Sequence, residues 1–251
     1  MHNRYIKYFV FLLLTADLVL SAIFLKNDHR DIEKIFSLPA LSKVAGQPGY
    51  IALTFDDGPS KETEKILDIL KKRQVKATFF SIGRDDAFSK KMYQRIVKEG
   101  HTLGMHSYSH QYKEIYQSMD AFQADYERIS NCLTAATGIK PLYYRFPGGS
   151  TEVTEKLQMT DLDAYFNAQG ASYFDWNVIA ANNTTDDVSV NKMVDSVMNG
   201  VALYDTSIVL MYDSVDRKMT AKSLDSILDY LLKNGYEILP IDENTIPIHH
   251  S

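Results

Sequence analysis

The sequence predicts an α/β fold: a distorted (β/α) barrel of about seven parallel strands, preceded by an N-terminal membrane-anchor helix. From Tyr50 onward, short runs rich in β-branched and aromatic residues alternate with segments of helical periodicity. This alternation favours parallel strands that are covered by helices. The turn after the first run reads Asp-Asp-Gly-Pro at residues 56–59, so it lacks the glycine-rich phosphate loop of many open doubly wound sheets. A barrel is therefore the preferred architecture.

The individual elements follow from local periodicity. The β-rich runs predict strands at 50–55, 77–81, 102–105, 142–146, 171–176, 207–212 and 236–239. The first predicted helix carries Ile66, Leu67 and Leu70 on one face and lysines on the other. Further helical patterns occupy residues 89–99, 118–138, 151–169, 189–201 and 221–234. Glycines that are typical C-terminal stops follow these patterns at Gly100, Gly138, Gly170 and Gly235.

The N-terminal segment predicts a membrane anchor. Arg4 and Lys7 precede an apolar stretch over residues 8–25 that is interrupted only by Asp17. Its length nearly spans a bilayer, and its basic flank predicts that the positive end stays in the cytoplasm. Residues 1–25 are therefore predicted to be a cytoplasmic stub and transmembrane signal anchor, and 26–48 a linker. A cleavable signal peptide, which would release the protein, is the alternative, although Leu-Ser-Ala at residues 20–22 is a poor cleavage site.

Composition excludes some functions for the exported domain, predicted at residues 49–251. The chain has 251 residues and a net charge of −5, which argues against nucleic-acid binding because phosphate contacts need a basic surface. Cys132 is the only cysteine, so the chain has neither an internal disulfide nor a cysteine-based zinc cluster. The sequence makes no prediction of the oligomeric state.

A candidate metal site combines one carboxylate with two imidazoles. Asp57 follows the first predicted strand, and His106 and His110 follow the third. Histidines four residues apart are expected on one face of a helical turn, within reach of one cation. Three protein ligands leave a coordination position for water, which is typical of a catalytic metal site. The neighbouring Asp56 is free for a different task, the handling of a proton.

Other candidate residues also follow predicted strands. Residues 145–149, Arg-Phe-Pro-Gly-Gly, follow the fourth strand, Asp175-Trp176 ends the fifth, and Tyr212-Asp213 ends the sixth. Each signal is modest by itself, since an Asp pair at a strand end is more often solvated and a buried Trp is more often core. Strand ends meet at one rim of a barrel, however, so these residues are expected to converge in one site.

These motifs together resemble a known family. Residues 54–59 read Thr-Phe-Asp-Asp-Gly-Pro, residues 106–110 carry the His pair, and residues 144–150 read Tyr-Arg-Phe-Pro-Gly-Gly-Ser. In this order, with Leu-Pro-Ile-Asp-Glu-Asn-Thr at 239–245, they resemble the polysaccharide deacetylase family, the carbohydrate esterases with a NodB homology domain. The segments at 144–150 and 239–245 resemble those of bacterial peptidoglycan N-acetylglucosamine deacetylases, and the family resemblance runs from about residue 49 to 244.

The resemblance implies a metal and a proton-transfer pair. Asp57, His106 and His110 would hold a divalent metal, most plausibly zinc, with cobalt, nickel and manganese as alternatives. Asp56 would be the general base, and Arg145 would pair with it and set its pKa. The implied reaction removes acetyl groups from N-acetylhexosamine in cell-wall glycan, outside the cell membrane of a bacterium.

The resemblance also implies substrate-binding residues. The backbone N–H of Gly148 would donate to the oxyanion, although the family commonly has Tyr at this position. Trp176 and Leu210 would help to wall the acetyl pocket. Asp175 would assist the general acid that protonates the leaving amine, and in the family this acid is a His at the position of Tyr212.

With Tyr212 at the position of the family's histidine, the residue that protonates the leaving amine is not identified. Losing a tuned acid costs roughly 10²–10⁴ in rate. Tyr212 itself is one candidate for the acid, and a protonated Asp56 that returns its proton is another. His249 and His250 are further substitutes, although residues this close to a terminus are commonly disordered. The remaining alternatives are a glycan-binding protein that turns over little or no substrate, and an O-acetyl esterase, whose better leaving group needs less acid help.

Overall fold

A computed structural model describes residues 50–153, 156–180 and 189–250. The predicted anchor at 1–25 and linker at 26–48 lie outside this part of the chain. Across the described ranges, none of the helices has the length and apolarity needed to cross a bilayer.

The described strands form one parallel sheet. The strands are β1 (Tyr50–Asp56), β2 (Thr78–Ser81), β3 (Thr102–Met105), β4 (Tyr143–Tyr144), β5 (Ser172–Tyr173), β6 (Val178–Ile179), β7 (Thr206–Tyr212) and β8 (Glu237–Ile238). Seven of them are hydrogen-bonded in the order β5-β4-β3-β2-β1-β7-β6, and β8 pairs with the start of β1. All these pairs are parallel, which confirms the predicted parallel α/β fold. Among the described strands, the hydrogen-bonded path ends at β5 and β6, which gives an open half-barrel.

Four of the seven described helices begin at a polar side chain that caps them. They are α1 (Lys61–Arg73), α2 (Ala87–Lys98), α3 (Tyr112–Ile115), α4 (Met119–Thr137), α5 (Met159–Gln169), α6 (Val190–Val201) and α7 (Lys218–Lys233). The side chains of Ser60, Asp86, Ser118 and Ser189 accept from the first-turn N–H groups of α1, α2, α4 and α6, respectively. Such caps satisfy donors that a helix cannot satisfy internally.

One helix differs from its prediction at the N-terminal end. The pattern at 151–169 predicts a single helix, but α5 begins only at Met159, and Ser150–Glu152 form a 3-10 turn. The physical reason is tertiary: the backbone N–H and the hydroxyl of Ser150 both donate to the carboxylate of Asp175. This attachment holds the chain at the end of β5, so helix formation starts later. The short helix α3 and the two-residue strand β6 have no counterpart in the sequence prediction.

Alternation along the strands separates two apolar layers. On β1, Ile51, Leu53 and Phe55 pack into the large core between the sheet and the helices. Ala52, on the opposite face, packs with Phe80, Phe174, Ile208 and Ile241 in a small cluster inside the sheet. Because side chains alternate along a strand, Thr54 and Asp56 share the inner face with Ala52. The inner face therefore becomes polar at the carboxyl end of the strands.

Candidate active site

The two adjacent carboxylates diverge at the end of β1. Asp56 is the last residue of the strand and is only 2% exposed. Asp57 has a φ of 74°, in the left-handed region that Asp tolerates better than most residues. A cis peptide bond joins Gly58 to Pro59. The change of backbone conformation at Asp57 directs its carboxylate to the histidines, whereas Asp56 contacts Arg145.

The His pair lies on a loop, and the prediction of a helical turn is wrong. Residues 106–111 have no helical assignment, and Ser107 and His110 have φ values of 69° and 56°. The two rings are still brought together, with centroids 5.1 Å apart. The hydroxyl of Ser107 accepts from the backbone N–H of His110, which closes the loop on itself. A compact loop thus places both imidazoles on one side without helical periodicity.

Asp57, His106 and His110 form a donor set that fits a metal ion. The carboxylate Oδ1 of Asp57 lies 3.4 Å from Nε2 of His106 and 3.2 Å from Nε2 of His110. This oxygen is buried and makes no hydrogen bond, and one ligand atom from each residue lies within 4.8 Å of the others. A buried, unpaired carboxylate oxygen facing two imidazole nitrogens is costly unless a cation binds there.

Protonation supports the same assignment. Burial alone would raise the pKa of Asp57, but the two imidazoles outweigh it, and the net pKa is lowered. Nδ1 of His106 lies 2.8 Å from the carbonyl oxygen of Arg145. A carbonyl can only accept, so Nδ1 carries a proton, and in the neutral tautomer with this proton Nε2 is the nitrogen that can bind a metal. The ionised carboxylate and this tautomer are the forms that bind a divalent metal.

Asp125 supports the metal loop, and the sequence analysis missed it. From helix α4, its two carboxylate oxygens accept from the backbone N–H groups of Tyr108 and Ser109 at 2.8 and 2.9 Å. These are the residues between the two histidines. In the sequence, Asp125 is one of several acidic residues on a helix, and no local signal separates it from them.

We expect Asp125→Ala to weaken zinc binding by about 10–100-fold, the usual cost of losing an outer partner of a metal ligand. The three ligands remain, but the loop that holds His106 and His110 loses two hydrogen bonds. Zinc affinity would be measured by competition with a chelator. Glu127→Ala, an exposed acidic residue on the same helix, is the matched control and should bind zinc like the parent. Equal affinities of the two variants would contradict the role of Asp125.

The Asp56–Arg145 pair is buried beside the metal ligands. Arg145 is fully buried, and its Nη1 donates to Oδ1 of Asp56 at 3.0 Å and to the hydroxyl of Thr54 at 2.6 Å. Its other donors reach the carbonyl oxygens of Phe174 and Asp175. Burial raises the pKa of Asp56, and the attraction of Arg145 only partly opposes this. A raised pKa brings a carboxyl group closer to the range in which it can take up and return a proton.

The carboxylate of Asp175 is held by residues outside the predicted set. It accepts from the backbone N–H and hydroxyl of Ser150 and from the backbone N–H of His250. Trp176 is partly exposed, with its ring 5.6 Å from the guanidinium carbon of Arg145. Sequence reasoning missed Ser150 and His250 as partners, because 25 and 75 positions separate them from Asp175.

Gly148 has a structural reason to be glycine. Its φ is 82°, and an added Cβ would lie 2.5 Å from Cγ of Glu152 and 2.9 Å from Cε2 of Tyr112. The left-handed conformation and the close neighbours both exclude a larger residue. Glycine therefore fits the local path of this loop without strain.

Tyr212 is directly opposite Asp56 in the register between β1 and β7. By alternation it shares the inner face of the sheet with Ile208 and Leu210, and Leu210 is buried two residues earlier. The guanidinium carbon of Arg217 lies 5.5 Å from the centre of the Tyr212 ring. The structure therefore brings Tyr212 to the same strand end as the general-base candidate.

Asp213, which the sequence analysis named only beside Tyr212, is a second buried carboxyl at this strand end, after Asp56. The hydroxyl of Thr63 donates to its Oδ2, while its Oδ1 has no hydrogen-bond partner. Burial raises the pKa of Asp213 to about 7, although Thr63 opposes the shift. A Cβ on Gly58 would lie 2.1 Å from Oδ2 of Asp213, so only glycine fits there. Asp213 thus packs against the turn that carries Asp56 and Asp57.

Comparison with known proteins identifies the family. A solved structure, the catalytic domain of peptidoglycan N-acetylglucosamine deacetylase from Eubacterium rectale ATCC 33656, is 35% identical, with a TM-score of 0.74. The match covers 80% of this chain and 92% of that domain. The chain belongs to the polysaccharide deacetylase family. The family's sequence model matches residues 43–166. The predicted family and the predicted class of enzyme, a hydrolase of the amide bond of N-acetyl groups, are confirmed.

Two further relatives match most of this chain but differ in the share of their own length that is matched. YheN of Bacillus subtilis (strain 168) is 29% identical over 229 residues, which are 90% of this chain and 77% of YheN. The peptidoglycan-N-acetylglucosamine deacetylase PgdA of Listeria monocytogenes serotype 1/2a (strain 10403S) is 34% identical over 196 residues. That match covers 77% of this chain but only 38% of PgdA. The chain therefore spans most of YheN but less than half of PgdA.

Proposed function

We propose that this polysaccharide deacetylase removes acetyl groups from N-acetylglucosamine in peptidoglycan, with zinc held by Asp57, His106 and His110. The single observation that carries the proposal is the placement of this donor set beside the buried Asp56–Arg145 pair. Two of the similar proteins, from Eubacterium rectale and Listeria monocytogenes, are named for this substrate.

Asp56 would act as the general base. Bound zinc would polarise the acetyl carbonyl and lower the pKa of water to about 7. The carboxylate of Asp56 would take the proton from the attacking water, and Arg145 would hold that carboxylate in place through Nη1. The remaining donors of Arg145 are fixed on Thr54 and on two backbone carbonyls, so the guanidinium cannot follow a moving carboxylate. The N–H of Gly148 would donate to the developing oxyanion.

The leaving amine must also receive a proton, and we assign this step to Asp56. The burial that raises the pKa of Asp56 stabilises its protonated form, so the proton taken from water can be returned to the amine. Tyr212, opposite Asp56 in the strand register, would then line the site without being the main donor. This assignment explains how the chain could work without the family's histidine at position 212.

The substrate would be reached from the membrane surface. The basic residues Arg4 and Lys7 and the apolar stretch at 8–25 support a single-pass anchor in the bacterial cell membrane, with the deacetylase domain outside. A domain tethered in this way would meet the cell wall directly. Cleavage of the segment would secrete the same domain instead.

The function is tested by release of acetate. We expect the purified full chain with added zinc to release acetate from N-acetylglucosamine oligomers, and a chelator to abolish the release. Tyr212→His should raise kcat by no more than about 10²-fold, the lower end of the contribution of a tuned acid, because Asp56 already returns a proton. Tyr204→His, at an exposed tyrosine, is the matched control and should leave kcat unchanged.

The other candidate functions give different results in the same assay. Acetate release only after Tyr212→His would identify the natural chain as a glycan-binding protein without turnover. Release from O-acetylated but not from N-acetylated oligomers would identify an esterase, since an ester needs less help at the leaving group. Either result would contradict the proposed amide hydrolysis.

A further inference from the structure

The C-terminal segment, defined here as residues 247–250, is attached to the end of β5. The backbone N–H of Asp175 donates to the carbonyl oxygen of Ile248 at 2.8 Å. The ring of His249 stacks on Tyr173 with centroids 3.9 Å apart, and its Nε2 lies 3.2 Å from the carbonyl oxygen of Tyr173. The expectation of a disordered end is wrong for these residues.

His250 completes the partners of a buried carboxylate. Asp175 is fully buried, and its Oδ2 accepts from the backbone N–H of His250 at 2.7 Å. Ser150 supplies the other donors, and its hydroxyl also lies 3.3 Å from the carbonyl oxygen of His250. Because a buried charge needs hydrogen-bond partners, Asp175 ties the segment to the loop after Arg145. Nη2 of Arg145 donates to the carbonyl oxygen of Asp175, which continues this chain of contacts to Asp56.

The imidazole of His250 packs against Trp176. Its ring is nearly perpendicular to the indole, at 84° and 4.7 Å between centroids, and its Nε2 lies 2.7 Å from the carbonyl oxygen of Trp176. Gly149 lies between them: an added Cβ would be 3.0 Å from Cη2 of Trp176 and 3.4 Å from Nδ1 of His250. The contacts with Gly149 and His250 therefore restrict the position of Trp176.

The hydrogen bonding of His250 fits a role in holding Trp176 in place. A carbonyl oxygen can only accept, so Nε2 carries a proton and donates it in a hydrogen bond to the carbonyl oxygen of Trp176. Nδ1 faces Oδ2 of Asp175 at 4.0 Å. Both ring nitrogens are thus directed at protein groups.

We propose that His250 is a positioning residue of the deacetylase site, which fixes Trp176 and the loop after Arg145 for binding of the glycan. The proposal rests on the proposed function, since it assigns Trp176 to the substrate-binding wall. It assigns a role in substrate binding to a C-terminal residue that lies 74 positions after Trp176 in the chain.

Trp176 provides a direct readout because it is the only tryptophan of the chain. We expect His250→Phe, which keeps a ring but loses the donor to Trp176, to shift the fluorescence emission to longer wavelength. KM for N-acetylglucosamine oligomers should rise about 5-fold, the effect of one lost hydrogen bond, with kcat nearly unchanged. His250→Gln, whose amide can donate to the same carbonyl, should restore both quantities at least in part.

The control is the neighbouring histidine. His249→Phe keeps its stacking on Tyr173 and should leave the emission of Trp176 and KM unchanged. Equal effects of His249→Phe and His250→Phe, or a loss of thermal stability without a change in emission or KM, would overturn the proposal. If the parent releases no acetate, the proposed function fails independently of this proposal. The positioning role is then tested by titrating the fluorescence of Trp176 with N-acetylglucosamine oligomers, which measures binding. Weaker binding by His250→Phe supports a positioning role, and unchanged binding excludes it.

Discussion

Replacing Asp56 by asparagine is expected to lower kcat for acetate release by about 10²–10⁴, the contribution of a positioned general base. Asparagine keeps the size of the side chain and can still contact Arg145, but it cannot accept a proton from water. The three metal ligands are unchanged, so zinc content should equal that of the parent. The measurement is steady-state acetate release with a parallel determination of bound zinc.

The control for this variant is Asp195→Asn, an exposed aspartate on α6. It removes the same charge without touching the site and should keep the parent's kcat. A loss of activity that is accompanied by a loss of zinc would show that Asp56 acts on the metal loop instead. Retained activity in Asp56→Asn would show that Asp56 is not the general base.

The second large effect is on stability. Arg145→Met removes the cationic partner of Asp56 while keeping an apolar side chain of similar length, and Asp56 stays buried. Breaking a buried ion pair from one side typically costs about 3–5 kcal/mol, because it leaves an uncompensated charge. We expect a decrease of this size in the free energy of unfolding, measured by denaturant titration.

The double variant Asp56→Asn/Arg145→Met measures the interaction energy between the two side chains, apart from their contacts with other residues. With both charges removed, the destabilisation should be smaller than the sum of the two single changes, since neither partner is left alone. Arg128→Met, at an exposed arginine over the ring of Tyr108, is the control for loss of an arginine and should be nearly neutral. Additive single effects would mean that Arg145 stabilises the fold only through its hydrogen bonds to Thr54 and to two backbone carbonyl oxygens.

Local sequence patterns were sufficient for the parallel α/β fold. Strand and helix periods differ, so the alternation after Tyr50 could be recognised without knowledge of contacts. The same reasoning grouped Asp57, His106 and His110, since each follows a strand and the carboxyl ends of parallel strands lie at one edge. The structure brings these three side chains together, although the reason offered for the His pair, a shared helical face, was wrong.

Local patterns in the sequence specify most of the strands and helices, and the polar residues at the strand ends. The left-handed conformations of Ser107 and His110, the support from Asp125, and the attachment of Ser150 and His250 to Asp175 appear only in the assembled fold. The physical reason is the distance along the chain. Periodicity is a property of neighbouring residues, whereas a hydrogen bond between positions 175 and 250 depends on how the whole sheet is assembled.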